Sequence, residues 1–349
     1  MENKTTEQIN ELRKVMGTLP HQEPQLRTEF TRGVEGITVE LVDTNKNPYK
    51  GMYVLATSCW GKGINKWAET SPENRFLVVK AALEGDALPL AAEVPFFTFA
   101  VEGLSRAAFD QLARTRDAVF SAKGMRDNNW KDCNIRIPTS LWPTLEERML
   151  GESLGDKHPD DITEEDKKVL SKLINFENIK KAMIDVKKVY GDIVDTGKAS
   201  WQAARTVLPL YVEYGFSVRY HYLALKKVCA NRMKFCEMED TCAVGWLYQK
   251  AVEKVFPLLA SYLRPGCDFG HKCQYHKSYG MSELFGCLFS ECGRNKCEAT
   301  SEYAEFNETC TNYKDLEEQL EIHITRPDEW PTYTWETLPP QDKLLFMED

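Results

Sequence analysis

Hydrophobic residues change their spacing between Glu93 and Trp130, and that change predicts a strand handing directly into a helix. Phe96, Phe97, Phe99 and Val101 form a short aromatic and β-branched run, Gly103 is expected to break it, and Ser105 is placed to cap the helix that follows. Leu104, Ala108 and Leu112 recur every four residues and give that helix one apolar stripe. Gln111 and Arg114 lie three apart and would share another face, with Arg116 rotated away from both.

Similar patterning outlines the rest of the chain. The first 30 or so residues are polar, with a weak helical pattern at Ile9, Leu12 and Met16, as in an arm packing on a neighbour. Ile37, Val39 and Leu41 alternate as in a strand, Tyr53 to Trp60 reads as a short apolar element, and Arg75 to Leu83 reads as a helix stopped by Gly85 and Pro89. Pro138 and Pro143 punctuate the chain after Trp130, before a charged segment that reads as an inserted loop with partial helix. Asp161 to Thr163 opens a helical pattern continued by Val169, Leu170, Leu173 and Ile174; Ile179, Met183, Val186 and Tyr190 suggest a second helix ending near Gly191. Leu316 to Ile324 suggests a helix running into a strand. Trp330 to Trp335, with Pro339 and Pro340, suggests an extended tail on the surface or on another subunit.

Composition narrows the function classes. The 349 residues are 42% hydrophobic, enough to fill a core. No apolar run approaches the roughly 20 residues that span a bilayer, and the N-terminus lacks a signal-peptide core, so a cytoplasmic protein without a membrane partner is expected. A net charge of -9 argues against extended nucleic-acid binding but leaves local basic pockets, which makes a mononucleotide a better ligand class than a polymer. Guanidinium groups bind phosphate through paired charge-assisted hydrogen bonds, so arginines of diverging direction suit two phosphate-bearing ligands; the plainer reading is a solvated basic face.

Two blocks carry a resemblance to a known family. The first holds Ser105-Arg106, Gln111, Arg114-Thr115-Arg116 and Arg126; the second, from Gly197 to Arg232, holds Ala204-Arg205-Thr206-Val207-Leu208-Pro209 and ends in Asn231-Arg232. In order and internal spacing they resemble the signature of the flavin-dependent thymidylate synthase (ThyX) family. The resemblance implies an α+β, ThyX-like fold with a mixed sheet and long helices. It divides the chain into an arm (1–34), a catalytic domain (35–260) with a helical insertion at about 145–196, and a Cys-rich extension with an acidic, aromatic tail (261–349).

What the resemblance implies chemically is transfer of a one-carbon unit from methylenetetrahydrofolate to C5 of a pyrimidine deoxynucleoside monophosphate, dUMP to dTMP, with FAD and NADPH. The alternatives are a relative acting on dCMP or leaving a hydroxymethyl group, and a non-catalytic nucleotide-binding protein. By the same resemblance Gln111, Arg126 and Arg205 would hold the nucleotide, Arg232 would polarise the base carbonyls as the catalytic group, and Arg114, Thr115, Arg116 and His221 would line the flavin; a homotetramer is implied. The sequence departs from the family at Val94, Thr115, Ala122, Gly124, Asp127, His221 and Leu223.

The cysteines form a separate signal. Of 11, nine lie from Cys229 onward, and clustering in a reducing compartment points to metal before disulfides. One structural zinc held by Cys267, Cys273 and Cys292, completed by Cys229 or Cys236, is the expected arrangement; an iron-sulfur cluster, or reduced cysteines packed under a loop, are the competing readings.

Overall fold

The computed structural model describes residues 30–58, 66–85, 88–125, 128–154, 162–197, 199–234, 237–266, 313–326 and 328–348. Strands β1 (Phe30–Arg32) and β2 (Thr38–Thr44) precede helices α1 (Pro48–Ser58) and α2 (Pro72–Glu84). Ser71 caps α2 by accepting from the Asn74 amide, and Gly85 ends it at φ 87, in the left-handed region that only glycine adopts freely. Strand β3 (Phe96–Ser105) runs into α3 (Arg106–Leu112), followed by β4 (Ala118–Ala122) and β5 (Ile135–Ile137). Then come α4 (Leu145–Leu154), α5 (Glu164–Asp195), the short α6 (Trp201–Ala204), β6 (Glu213–His221), α7 (Tyr222–Arg232) and α8 (Glu239–Glu253). The described chain closes with α9 (Pro257–Ala260), α10 (Tyr313–Leu320) and α11 (Pro340–Met347). No helix among these residues is long and apolar enough to cross a membrane.

The main sheet has the order β2-β3-β6-β4 and is antiparallel throughout, while the parallel pairing is confined to a separate two-stranded sheet of β1 and β5. The expected strand forms, with Phe97, Phe99 and Val101 alternating on the buried face of β3 and Phe96 half-buried on the other. Gly103 does not break the strand. It bends it through a register shift between Val101 and Leu104, at φ 82, where a Cβ would stand 2.7 Å from the Gly36 carbonyl oxygen.

Helix α8 is the central core element, buried on nearly all sides, with Tyr248 packed on Phe99 (ring centroids 4.5 Å) and Trp246 stacked on Trp330. The chain end contributes to this core through Trp330, Leu338 and Phe346, while residues 331–337 between them are exposed or half-buried. Phe346 is fully buried and stacks on Tyr49 at 4.5 Å. The buried Arg75 donates to the carbonyl oxygens of Phe346 (2.7 Å) and Glu348 (3.0 Å), and the Trp67 indole donates to that of Glu348 (2.6 Å). The described segment after α10 forms no strand; Glu321 turns through φ 54 and Ile324 is buried without regular structure.

The segment from about 145 to 196 is also more regular than its sequence suggests. Its main part is one 32-residue helix, α5, opened by a capping box between Thr163 and Asp166 and unbroken at Gly191. Lys172 pairs with Glu147 at 2.9 Å and ties α5 to α4. The far half docks on the body: the Tyr190 hydroxyl accepts from the Trp130 amide at 3.2 Å, and the buried Lys187 ammonium donates to the Cys133 carbonyl.

Candidate nucleotide site

The strand-to-helix junction at Ser105 sets the position of Gln111. Ser105 Oγ accepts from the Ala108 amide (3.1 Å) and caps α3, while the Ser105 amide donates to the buried Asp240 carboxylate at the start of α8 (3.0 Å). Leu104, Ala108 and Leu112 are fully buried, so Gln111 falls on the half-exposed flank of α3. There it meets Arg232, the last residue of α7. Arg232 Nη1 lies 3.5 Å from Gln111 Oε1, and Nη2 lies 3.4 Å from the Gln111 backbone oxygen.

Two features hold Arg232 in place. Glycine at 245 lets α8 approach the end of α7: a Cβ there would stand 2.9 Å from Met233 Cγ and 3.5 Å from the Arg232 carbonyl carbon. The guanidinium also pairs with Glu237, Nη1 to Oε2 at 2.5 Å, with both side chains largely buried. Next in the chain, Met238 places its sulfur 3.7 Å from Gln111 Nε2.

Glu237 and Met238 were not legible as site residues in the sequence. An acid five positions past a helix-terminal arginine was the available signal. Both also line a cleft of about 1200 Å³ beside α4 and α5, whose walls include Trp142, Arg148 and Lys172. At its floor, burial raises the Glu239 carboxyl above the ordinary range, against the opposing pull of the hydrogen bond it accepts from the Thr139 amide.

The other expected site residues are placed as follows. Helix α3 ends at Leu112, so Arg114 does not continue its face beside Gln111; Arg114 and Arg116 are exposed in the turn before β4, with no ion pair among the described residues. Thr115 is half-buried in that turn and its amide donates to Leu112 O. Arg205 is exposed on a single 3-10 turn, Arg205–Val207. His221 caps α7, its Nδ1 accepting from the Ala224 amide at 3.2 Å. Arg126 lies outside the described residues, as do Cys236, Cys267, Cys273 and Cys292. Cys229 is a fully buried thiol 3.8 Å from the Gly245 carbonyl oxygen, and burial pushes its ionisation well up. Among the described residues no group of three or more His, Cys, Asp or Glu could hold a metal.

A solved UMP/dUMP methylase, PolB from Streptomyces cacaoi bound with 5-Br dUMP, is similar at 17% identity and a TM-score of 0.49, over 67% of this chain and 96% of that one. Thymidylate Synthase X (ThyX) from Helicobacter pylori, with FAD and dUMP, is similar at 14% identity and a TM-score of 0.42, over 62% and 92%. No curated protein matches the sequence. The family model described as thymidylate synthase complementing protein matches residues 40–258, which include Gln111, Arg205 and Arg232. The chain therefore belongs to the thymidylate synthase complementing protein family.

Proposed function

We propose that this protein transfers a one-carbon unit from methylenetetrahydrofolate to C5 of a pyrimidine deoxynucleoside monophosphate. In a chain of this family, the observation that carries the reading is the meeting of Gln111 with Arg232 across 121 residues of sequence. A largely buried guanidinium beside a pyrimidine stabilises the charge that builds on the ring carbonyls while C5 acts as a nucleophile; donors fixed in advance are effective because they need no reorganisation. Gln111, Arg126 and Arg205 serve the nucleotide in this reading.

The flavin side fits in chemical type. Arg114 and Arg116 are exposed cations on one short turn with Thr115 between them, a donor set suited to the diphosphate of FAD. When bound, the flavin supplies the reducing equivalents, renewed by NADPH. His221, already engaged as a helix cap, would face the flavin with Nε2 only. Residues 35–260 form the catalytic unit, with 145–196 inserted and 261–349 as the extension. The active assembly is a homotetramer with sites between subunits. A structural zinc held by Cys267, Cys273 and Cys292, completed by Cys229 or Cys236, belongs to the same reading.

Flavin titration tests the enzyme reading against the non-catalytic one. Uptake of FAD with a shifted absorbance band is expected, along with turnover that Arg232→Ala abolishes. A protein that takes up no flavin would be a nucleotide-binding relative instead.

A further inference from the structure

We propose that the open face of the main sheet is where two copies of this chain join, sheet on sheet, about a two-fold axis parallel to the strands. The inference rests on the homotetramer reading above and deepens it by naming one surface that holds the copies together. Side chains alternate between the two faces of a strand. Phe97, Phe99 and Val101 of β3 and Phe216, Val218 and Tyr220 of β6 point into the core, where Tyr248 of α8 packs on Phe99 and Phe109 of α3 packs on Phe216. The opposite face carries Thr98 and Ala100 of β3 beside Ser217 and Arg219 of β6, all small residues apart from the arginine. Ser217 and Arg219 are exposed there, as are Val119 and Ser121 of the edge strand β4.

The charges on this face are placed so that one copy leaves them unpaired and two copies pair them. Strand register sets Asp43, Thr98, Arg219 and Val119 in one row across the sheet, and Glu40, Ala100, Ser217 and Ser121 in another. Asp43 and Glu40 are exposed on β2, and the Arg219 guanidinium is held 3.8 Å from the centre of the Phe96 ring. Among the described residues none of these three charges has an ion-pair partner. Within one copy β3 lies between Asp43 and Arg219 and keeps their strands roughly 10 Å apart. A two-fold axis along the strands, between β3 and β6, lays β2 of one copy over β4 of the other and β3 over β6. Each Asp43 then stands over Val119, beside the other copy's Arg219, and the small side chains of Thr98, Ala100 and Ser217 let the sheets approach. An axis in the same plane but perpendicular to the strands would set β2 on β2 and carboxylate against carboxylate. Complementary charge therefore selects the first arrangement, since like charges facing across an interface are strongly unfavourable.

Sedimentation velocity of the full-length protein tests the proposal. Wild type is expected to be larger than a monomer. Arg219→Asp, which sets carboxylates against each other, should halve that mass or raise the dissociation constant at least about tenfold. Asp43→Arg should do the same, and the double variant Asp43→Arg with Arg219→Asp, which exchanges the two charges, should regain the wild-type mass. A thermal melt of each variant verifies folding. Undiminished assembly in both single variants would overturn the proposal and leave the homotetramer reading standing: the copies would meet elsewhere, and this face would belong to solvent or to another occupant. A double variant that stays dissociated would overturn the pairing of Asp43 with Arg219 and the axis drawn from it. A monomeric wild type would overturn both readings.

Discussion

The Tyr49 hydroxyl donates to the Asp342 carboxylate at 2.5 Å, joining α1 to α11 across 293 residues of sequence in the middle of the core. The other carboxylate oxygen accepts from the Leu258 amide at 2.7 Å. Burial pushes the Asp342 carboxyl up to about 6, although both hydrogen bonds oppose the shift.

A pH dependence follows, opposite in sign to that of an ordinary paired carboxylate. Between the unfolded value of 3.8 and about 6, the folded chain holds a proton that the unfolded chain releases. The contribution of this site to stability is therefore full below pH ~4 and is lost as pH rises through about 6. The difference amounts to about 3 kcal/mol. Asn at 342 keeps comparable bonds without titrating. Denaturant melts of wild type and Asp342→Asn should diverge by about 2 kcal/mol of that between pH 4.5 and 7.5, wild type weakening on the alkaline side; a difference independent of pH would refute the assignment.

Phe346 is the apolar counterpart of that link. Fully buried against Tyr49, Trp67 and Phe76, it should cost about 3–5 kcal/mol when replaced by Ala. Removing the chain from Pro340 onward should leave no cooperative unfolding transition. A truncated protein that melts like the intact one would mean that α11 only decorates the surface.

Arg136 and Glu213 make a buried ion pair at 2.9 Å. The carboxylate also accepts from Thr31 (2.6 Å) and Asn134 (2.8 Å), and the guanidinium donates to the carbonyls of Gly33 and Glu35. Removing one partner strands the other, so Glu213→Ala should destabilise by about 3–5 kcal/mol, measurable by urea titration. A loss below about 1 kcal/mol would place the pair among solvated surface bridges.

Gly245 sits inside α8, where helix propensity alone favours Ala by about 1 kcal/mol. Contact with Met233 should reverse that sign. Gly245→Ala is expected to cost about 1–3 kcal/mol by overpacking and to weaken nucleotide binding by moving Arg232. A more stable variant with unchanged affinity would show that α7 does not depend on this close approach.

Local signals carried the parts of the fold that local chemistry decides. Ser105, Thr163 and Gly85 mark helix ends by their own side chains or lack of one, and the buried stripe Leu104, Ala108, Leu112 follows from helical period. The core role of Phe346 and Asp342 was not legible because their burial comes from residues some 270 to 290 positions away. In α5 the apolar positions drift around the helix, which resembles a break in sequence, yet the backbone continues. Of the candidate site, Gln111 and Arg232 were singled out only through the spacing of the two motif blocks. The end of α3 at Leu112 was not, because the turn that carries Arg114 and Arg116 closes through Asp117 at φ 64, a conformation no residue pattern announced.

The measurement closest to the central claim is the mass of dCMP and dUMP after incubation with the protein, FAD, NADPH and methylenetetrahydrofolate. A gain of one carbon at C5 of one of the two is expected, absent with Arg232→Ala. No gain on either nucleotide, from protein that binds FAD, would contradict one-carbon transfer to a pyrimidine nucleotide.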